Sequence, residues 1–129
     1  MATLETYRRT FQAREQRRRD EHETLRQRVL TRVREQIPPI LAQYPSVERA
    51  YLFGSMTRPG DFTPHSDIDL ALDGVSARED AALWHVLNDA FPDNLIDVRA
   101  LPTSLSPIAD FIRHYGILIY EREDIAASS

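Results

Sequence analysis

Leu25, Val29, Val33 and Ile37 recur every four residues, and Ile40, Leu41 and Tyr44 carry the stripe on past Pro38-Pro39. This is the period of an amphipathic helix lying on a core, kinked or restarted at the two prolines. Residues 3–36 contain neither glycine nor proline, so the helix is predicted to begin near the N-terminus. Its first half follows a different pattern. Leu4, Tyr7 and Phe11 form a short apolar patch, and Gln12 to Glu23 is almost wholly polar, as in a helix that projects into solvent or meets a partner.

Beyond Pro45 the period changes. Val47–Phe53 reads as a buried strand ended by Gly54, and a loop holding Pro59, Gly60 and Pro64 leads to a second strand at about 67–73. Ser76 with Glu79 has the form of a capping box opening a helix to about Phe91, whose Ala82, Leu83, Val86, Leu87 and Ala90 share one face. Pro92-Asp93-Asn94 turns the chain into a third strand, Leu95–Leu101. Ser106-Pro107 supplies an N-cap and first-turn proline for a helix to about Tyr115. Gly116 ends that helix, Ile117–Tyr120 adds a short edge strand, and the last residues read as frayed. The predicted fold class is α+β: a small mixed sheet with helices packed on one face, plus a long N-terminal helix. The expected division is an Arg-rich helical arm over 1–36, a domain over 37–121 and a flexible tail over 122–129.

Composition narrows the function classes. At 129 residues there is room for one domain with a real core. No run approaches the roughly 18 apolar residues of a membrane span, and no signal-peptide pattern opens the chain. The absence of cysteine excludes disulfides and thiolate metal sites and suits a reducing cytoplasm. The net charge of −4 argues against general nucleic-acid binding. The charge is uneven, however: ten arginines and six acids give residues 1–36 a charge of +4, leaving −8 for the remainder.

The chemistry lies in the second and third predicted strands. On a strand, residues i and i+2 share a face about 6.5–7 Å apart, so Asp67 and Asp69 converge while Ile68 and Leu70 point into the core. Such carboxylates repel one another, which raises at least one pKa until a cation relieves it. All-oxygen donors suit Mg²⁺ or Mn²⁺ rather than zinc. Two-ion transfer sites, with ions about 3.5–4 Å apart, usually need a further carboxylate. Asp97, inside the apolar run Leu95-Ile96-Asp97-Val98, is the candidate. Asp61 and Asp73 read as turn residues. Gly54 lets the backbone approach a phosphate, Ser55 offers a hydroxyl, and a following helix N-terminus would offer N–H donors. Neither the G-x-G-x-x-G nor the P-loop pattern occurs.

Taken together, Gly54-Ser55-Met56-Thr57-Arg58-Pro59-Gly60, Ser66-Asp67-Ile68-Asp69-Leu70 and Asp97 resemble the minimal nucleotidyltransferases (MNT) of the DNA polymerase β superfamily. The likeness covers about residues 37–121, including the closing helix and strand, and leaves out the Arg-rich residues 1–24. Two departures stand out: Pro59 separates Arg58 from Gly60, and Thr57 replaces the small residue usual before the arginine. The resemblance implies that Asp67, Asp69 and Asp97 are catalytic and hold two Mg²⁺ ions, with Asp97 beside the attacking hydroxyl. Gly54 and Ser55 would bind the triphosphate of ATP, and Arg58 would contact phosphate or form a surface salt bridge. His65 precedes the aspartate pair and is a candidate contact to nucleotide or partner. His22, His85, His114 and Trp84 are read as structural or surface residues.

Family members this small resemble the antitoxin of a pair with a HEPN ribonuclease toxin. The implied reaction is transfer of AMP from ATP to a toxin tyrosine, whose added charge and bulk would silence RNA binding there. One alternative is an antitoxin acting by binding alone, its arm docking on the toxin; against it stands a solvated helix whose apolar tip packs on a second copy. Another is a small-molecule nucleotidyltransferase, against which the lack of an acceptor domain counts.

Overall fold

The computed structural model describes residues 3–128; Met1, Ala2 and Ser129, the outermost parts of the expected arm and tail, lie outside the described residues. The N-terminal helix, α1 (Leu4–Leu41), is capped by Thr3, whose hydroxyl accepts the Thr6 amide at 3.1 Å. It buries Val29, Leu30, Val33, Ile37 and Leu41. It continues through Pro38-Pro39 as one helix, so the restart that the sequence pattern allowed does not occur. Ile37 and Leu41, both fully buried, flank the prolines and hold the last turn on the core, and the Ala42 amide still reaches the Pro38 carbonyl at 3.0 Å. The helix crosses the expected arm boundary at 36 without a break, and its buried stretch begins at Arg26.

Four strands follow: β1 (Arg49–Phe53), β2 (Ile68–Asp73), β3 (Ile96–Ala100) and β4 (Ile117–Glu121). They form one mixed sheet in the order β3-β2-β1-β4, in which β2 and β3 are parallel and the other pairs antiparallel. The parallel pair requires a crossover, supplied by α2 (Ala77–Ala90), which Ser76 caps as the capping box predicts. Helix α3 (Pro107–Tyr115) starts at its Ser106 cap and first-turn proline.

Alternation along the strands assigns the two faces. Ala50, Leu52, Ile68, Leu70, Leu72 and Ile96 join α1 and α2 in the main core, with Leu83, Leu87 and Phe91. Val86, expected on that face, lies at its margin and is 40% exposed. Tyr51, Ala71 and Leu101 point the other way and pack against Ala109 and Ile112 of α3. Helices therefore cover both faces rather than one, because Tyr51, Phe53, Ala71 and Leu101 leave a second, smaller apolar patch on the far face for Ala109 and Ile112 to cover. A bidentate bridge from Arg113 to Asp73, at 2.7 and 3.1 Å, locks α3 down. Asp73 is thus a structural ion-pair residue at the end of β2, not a turn residue.

The C-terminal stretch, expected to fray, forms a short helix, α4 (Glu123–Ser128). Arg122 ties it to the body, its guanidinium donating to the Pro45 carbonyl at 2.7 Å and to Asp124 at 2.6 Å. No helix among the described residues is long and apolar enough to cross a membrane.

Candidate active site

Three pieces of backbone meet at one end of the sheet. The first is the end of β1, where Phe53 gives way to a single 3-10 turn, Gly54–Thr57. The helix expected here stops after one turn, since Pro59 offers no amide to extend it. Met56 is fully buried beneath the turn, and the Thr57 hydroxyl closes it by donating to the Gly54 carbonyl at 2.7 Å. The second piece is the loop to β2, anchored by fully buried Phe62 and folded back through Thr63 and Ser66, whose hydroxyl accepts the Thr63 amide at 2.9 Å. This turn carries His65 exposed and delivers Asp67 immediately before β2. The third is β3, on the edge of the sheet. There the Asn88 amide group of α2 bonds both the N–H and the C=O of Ile96, at 2.8 and 3.1 Å, so the backbone just before Asp97 is fixed.

The parallel register pairs Asp69 with Asp97, and the antiparallel register pairs Asp69 with Phe53. All three share the face on which α3 packs. Ile68 and Leu70 are fully buried on the opposite face, as the i, i+2 argument predicts. Asp67 lies outside the strand and is exposed, while Asp69 and Asp97 are half-buried. Burial raises the Asp69 carboxyl above its ordinary range, and the Asp97 and then the Asp67 carboxylates push it further; Arg99 and Arg58 oppose them.

Gly54 connects the glycine-serine turn to the aspartates. Its φ is +70°, and a Cβ added there would collide with Asp69 Oδ2. The lack of a side chain thus brings the turn's backbone against the carboxylate. Ser55 lies beside it, half-buried. Arg58 is within electrostatic reach of Asp69, but its Nε donates to Asp61 at 2.9 Å on the surface. Asp61 is therefore the partner of Arg58.

The carboxylates act on one another through their charges without closing into a cluster. Among the described residues no group of three or more His, Cys, Asp or Glu side chains could hold a metal ion as arranged. Repulsion between like charges is one physical reason. The other is Arg99, whose Nε lies 3.4 Å from Asp97 Oδ2. The donor chemistry still fits a hard cation: the acidic groups that act on Asp69 at this end of the sheet are the carboxylates of Asp97 and Asp67, and Gly54 sets backbone rather than a side chain against it.

Glu23 and Arg26, on α1, escaped the sequence reading. The Arg26 guanidinium is buried and donates to the Met56 carbonyl at 2.8 Å and to Glu23 at 2.7 Å. Glu23 in turn accepts the Gly60 amide at 2.8 Å, and Gly60 adopts a φ of +81°. The Pro59-Gly60 departure from the family pattern is thus where the site loop docks on α1. The only signal in the sequence was an acid and an arginine three apart, which is common on any polar helix.

Arg26 holds the Glu23 carboxyl down at about 2, with help from Gln27 and Gly60. A carboxyl lowered in the fold stabilises it above its ordinary value of 4.5, and that contribution fades as the pH falls toward about 2. Unfolding free energies measured down this range should show the acid loss in the wild type and a reduced loss in Glu23→Gln. Arg26→Ala should cost about 2–3 kcal/mol, since it strands a buried carbonyl and a carboxylate.

The family model described as Polymerase beta, Nucleotidyltransferase matches residues 35–125, and the chain belongs to that family. The resemblance to the nucleotidyltransferases of the DNA polymerase β superfamily is borne out. No curated protein matches the chain in sequence. Solved structures share the fold, two crystal structures among them. One, a toxin-antitoxin with AMP-PNP, is 21% identical with a TM-score of 0.56; the match covers 70% of this chain and 75% of that one. The other, a mutant of the toxin-antitoxin MntA-HpeT, is 19% identical with a TM-score of 0.53, over 70% and 75% of the two chains.

Proposed function

We propose that this protein is a Mg²⁺-dependent nucleotidyltransferase that modifies another protein, an antitoxin transferring AMP from ATP to a tyrosine of a HEPN ribonuclease toxin. The observation that carries the reading is the pairing of Asp69 with Asp97 on adjacent parallel strands, with the Gly54 backbone against Asp69. The two fold neighbours support it, one being a toxin-antitoxin with AMP-PNP and both being toxin-antitoxin structures.

In this reading Asp67, Asp69 and Asp97 hold Mg²⁺, which when bound neutralises triphosphate charge and polarises the α-phosphate. Gly54 and Ser55 bind the triphosphate through the backbone of the turn and the serine hydroxyl. The acceptor oxygen forms a bond to the α-phosphorus as the bond to pyrophosphate breaks. Asp97, at the edge of the sheet, takes the hydroxyl proton. Catalysis rests on positioning and charge, which fits a site with few side chains.

The test is incubation with ATP labelled on the α-phosphate, Mg²⁺ and the protein encoded beside this one. Label should appear on a tyrosine of that partner and be lost with Asp67→Asn plus Asp69→Asn. Absence of label with the wild-type protein refutes the reading.

A second reading, neutralisation by binding alone, is favoured by the arm. Leu4, Tyr7 and Phe11 lie one helical turn apart and are 76%, 65% and 64% exposed. Removing residues 1–14, which takes away the apolar patch and leaves the Glu23 contact to Gly60 in place, separates the two: loss of neutralisation with labelling intact supports binding, and retained neutralisation removes the arm from the account.

A further inference from the structure

The proposed chemistry uses the carboxylates and the glycine-serine turn but gives no role to a cleft on the other side of Gly54. The cleft has a volume of about 190 Å³ and lies between the end of β1 and helix α3. Phe53, Gly54 and Arg58 form one wall, and Phe111 and Tyr115 the other.

The aromatic wall is not needed to pack α3. Contact with the sheet is made by Ala109 and Ile112, both buried. Phe111 and Tyr115 are 62% and 64% exposed, with ring centroids 4.8 Å apart. Two adjacent aromatic rings left facing water beside a phosphate-type turn are a platform for a planar ring. The volume falls below the roughly 300 Å³ at which ligand pockets begin, so one ring system fits and the rest of its molecule must lie outside.

Strand order decides which ring. The cleft borders the residues that end β1 and precede β4, whereas Asp97 is on β3, two strands away and so about 10 Å distant. An acceptor hydroxyl beside Asp97 is on the far side of Asp69 from the cleft. A nucleotide whose phosphates sit on Gly54 and Ser55 is next to it.

We propose that Phe111 and Tyr115 are the base-holding residues of this site, stacking the nucleobase of the nucleoside triphosphate in the cleft while its phosphates extend past Gly54 toward the aspartates. The inference rests on the nucleotidyl-transfer reading and is separable from it. Calorimetric titration with two probes in Mg²⁺, a non-hydrolysable ATP analogue and inorganic tripolyphosphate, isolates the base.

Phe111→Ala should weaken the analogue about ten-fold and leave tripolyphosphate unchanged, and Phe111→Trp should retain both. Thermal unfolding should be nearly unchanged in both variants, because the side chain is exposed. Equal weakening of both probes, or of neither while tripolyphosphate binds, overturns the assignment and leaves nucleotidyl transfer standing. Loss of acceptor labelling with analogue binding intact also overturns it, by giving the cleft to the acceptor. Failure of the wild type to bind either probe overturns both readings.

Discussion

Asp69→Asn will lower nucleotidyl transfer by about a hundred- to a thousand-fold and at the same time raise the stability of the protein in the absence of divalent ions. The two effects share one cause. Asp69 is the inner carboxylate, half-buried and pushed above its ordinary value of 3.8 by burial and then by Asp97 and Asp67. A carboxyl whose folded pKa exceeds its unfolded one favours folding when protonated; its charge opposes folding as the pH rises through the folded value. Asparagine keeps the shape and removes the charge. A gain of about 1 kcal/mol, a few degrees in melting temperature, is expected near neutral pH and should vanish below the ordinary carboxylate range. Added Mg²⁺ should raise the melting temperature of the wild type and not that of the variant. The loss of activity follows because a neutral amide is a poorer ligand for a hard cation and neutralises none of its charge. A variant that is neither more stable nor less active would remove Asp69 from the centre of the site.

Gly54→Ala will destabilise the fold by about 2–3 kcal/mol and abolish binding of the triphosphate. An alanine at a φ of +70° costs about 1–2 kcal/mol from backbone sterics alone. The new methyl group would also run into Asp69 Oδ2, so either the turn or the carboxylate has to move. A double-mutant cycle with Asp69→Ala separates these costs. In that background only the backbone term should remain, and the difference measures the contact between turn and carboxylate. Full additivity in unfolding experiments would mean that the turn and Asp69 do not touch.

These two residues also show how far the sequence alone reaches. Asp69 was legible because strand alternation is a local rule: apolar Ile68 and Leu70 on one face force the aspartate onto the other. Gly54 was legible as a turn, but its contact with Asp69 depends on the antiparallel pairing of β1 with β2, fifteen residues away in sequence. Asp67 was expected inside the strand and lies just before it, a matter of where pairing with β3 begins. Glu23 and Arg26 were hidden for a further reason. A helix projecting into solvent and one gripping a loop through two polar side chains have nearly the same composition.

The sequence by itself determined the four strands and the first three helices, the apolar face of each strand, the caps at Ser76 and Ser106, and the set of acidic residues available for a hard cation. All of these follow from periodicity and side-chain chemistry over a few residues. Only the tertiary structure decided that α1 continues through Pro38-Pro39, that α3 covers the second face of the sheet, and that Asp97 stands in register with Asp69. It alone set the aromatic wall of α3 beside the glycine-serine turn. Each of these depends on segments distant in the chain being packed together, and burial of Ile37, Leu41, Ala109 and Ile112 outweighs the local preferences that the sequence displays.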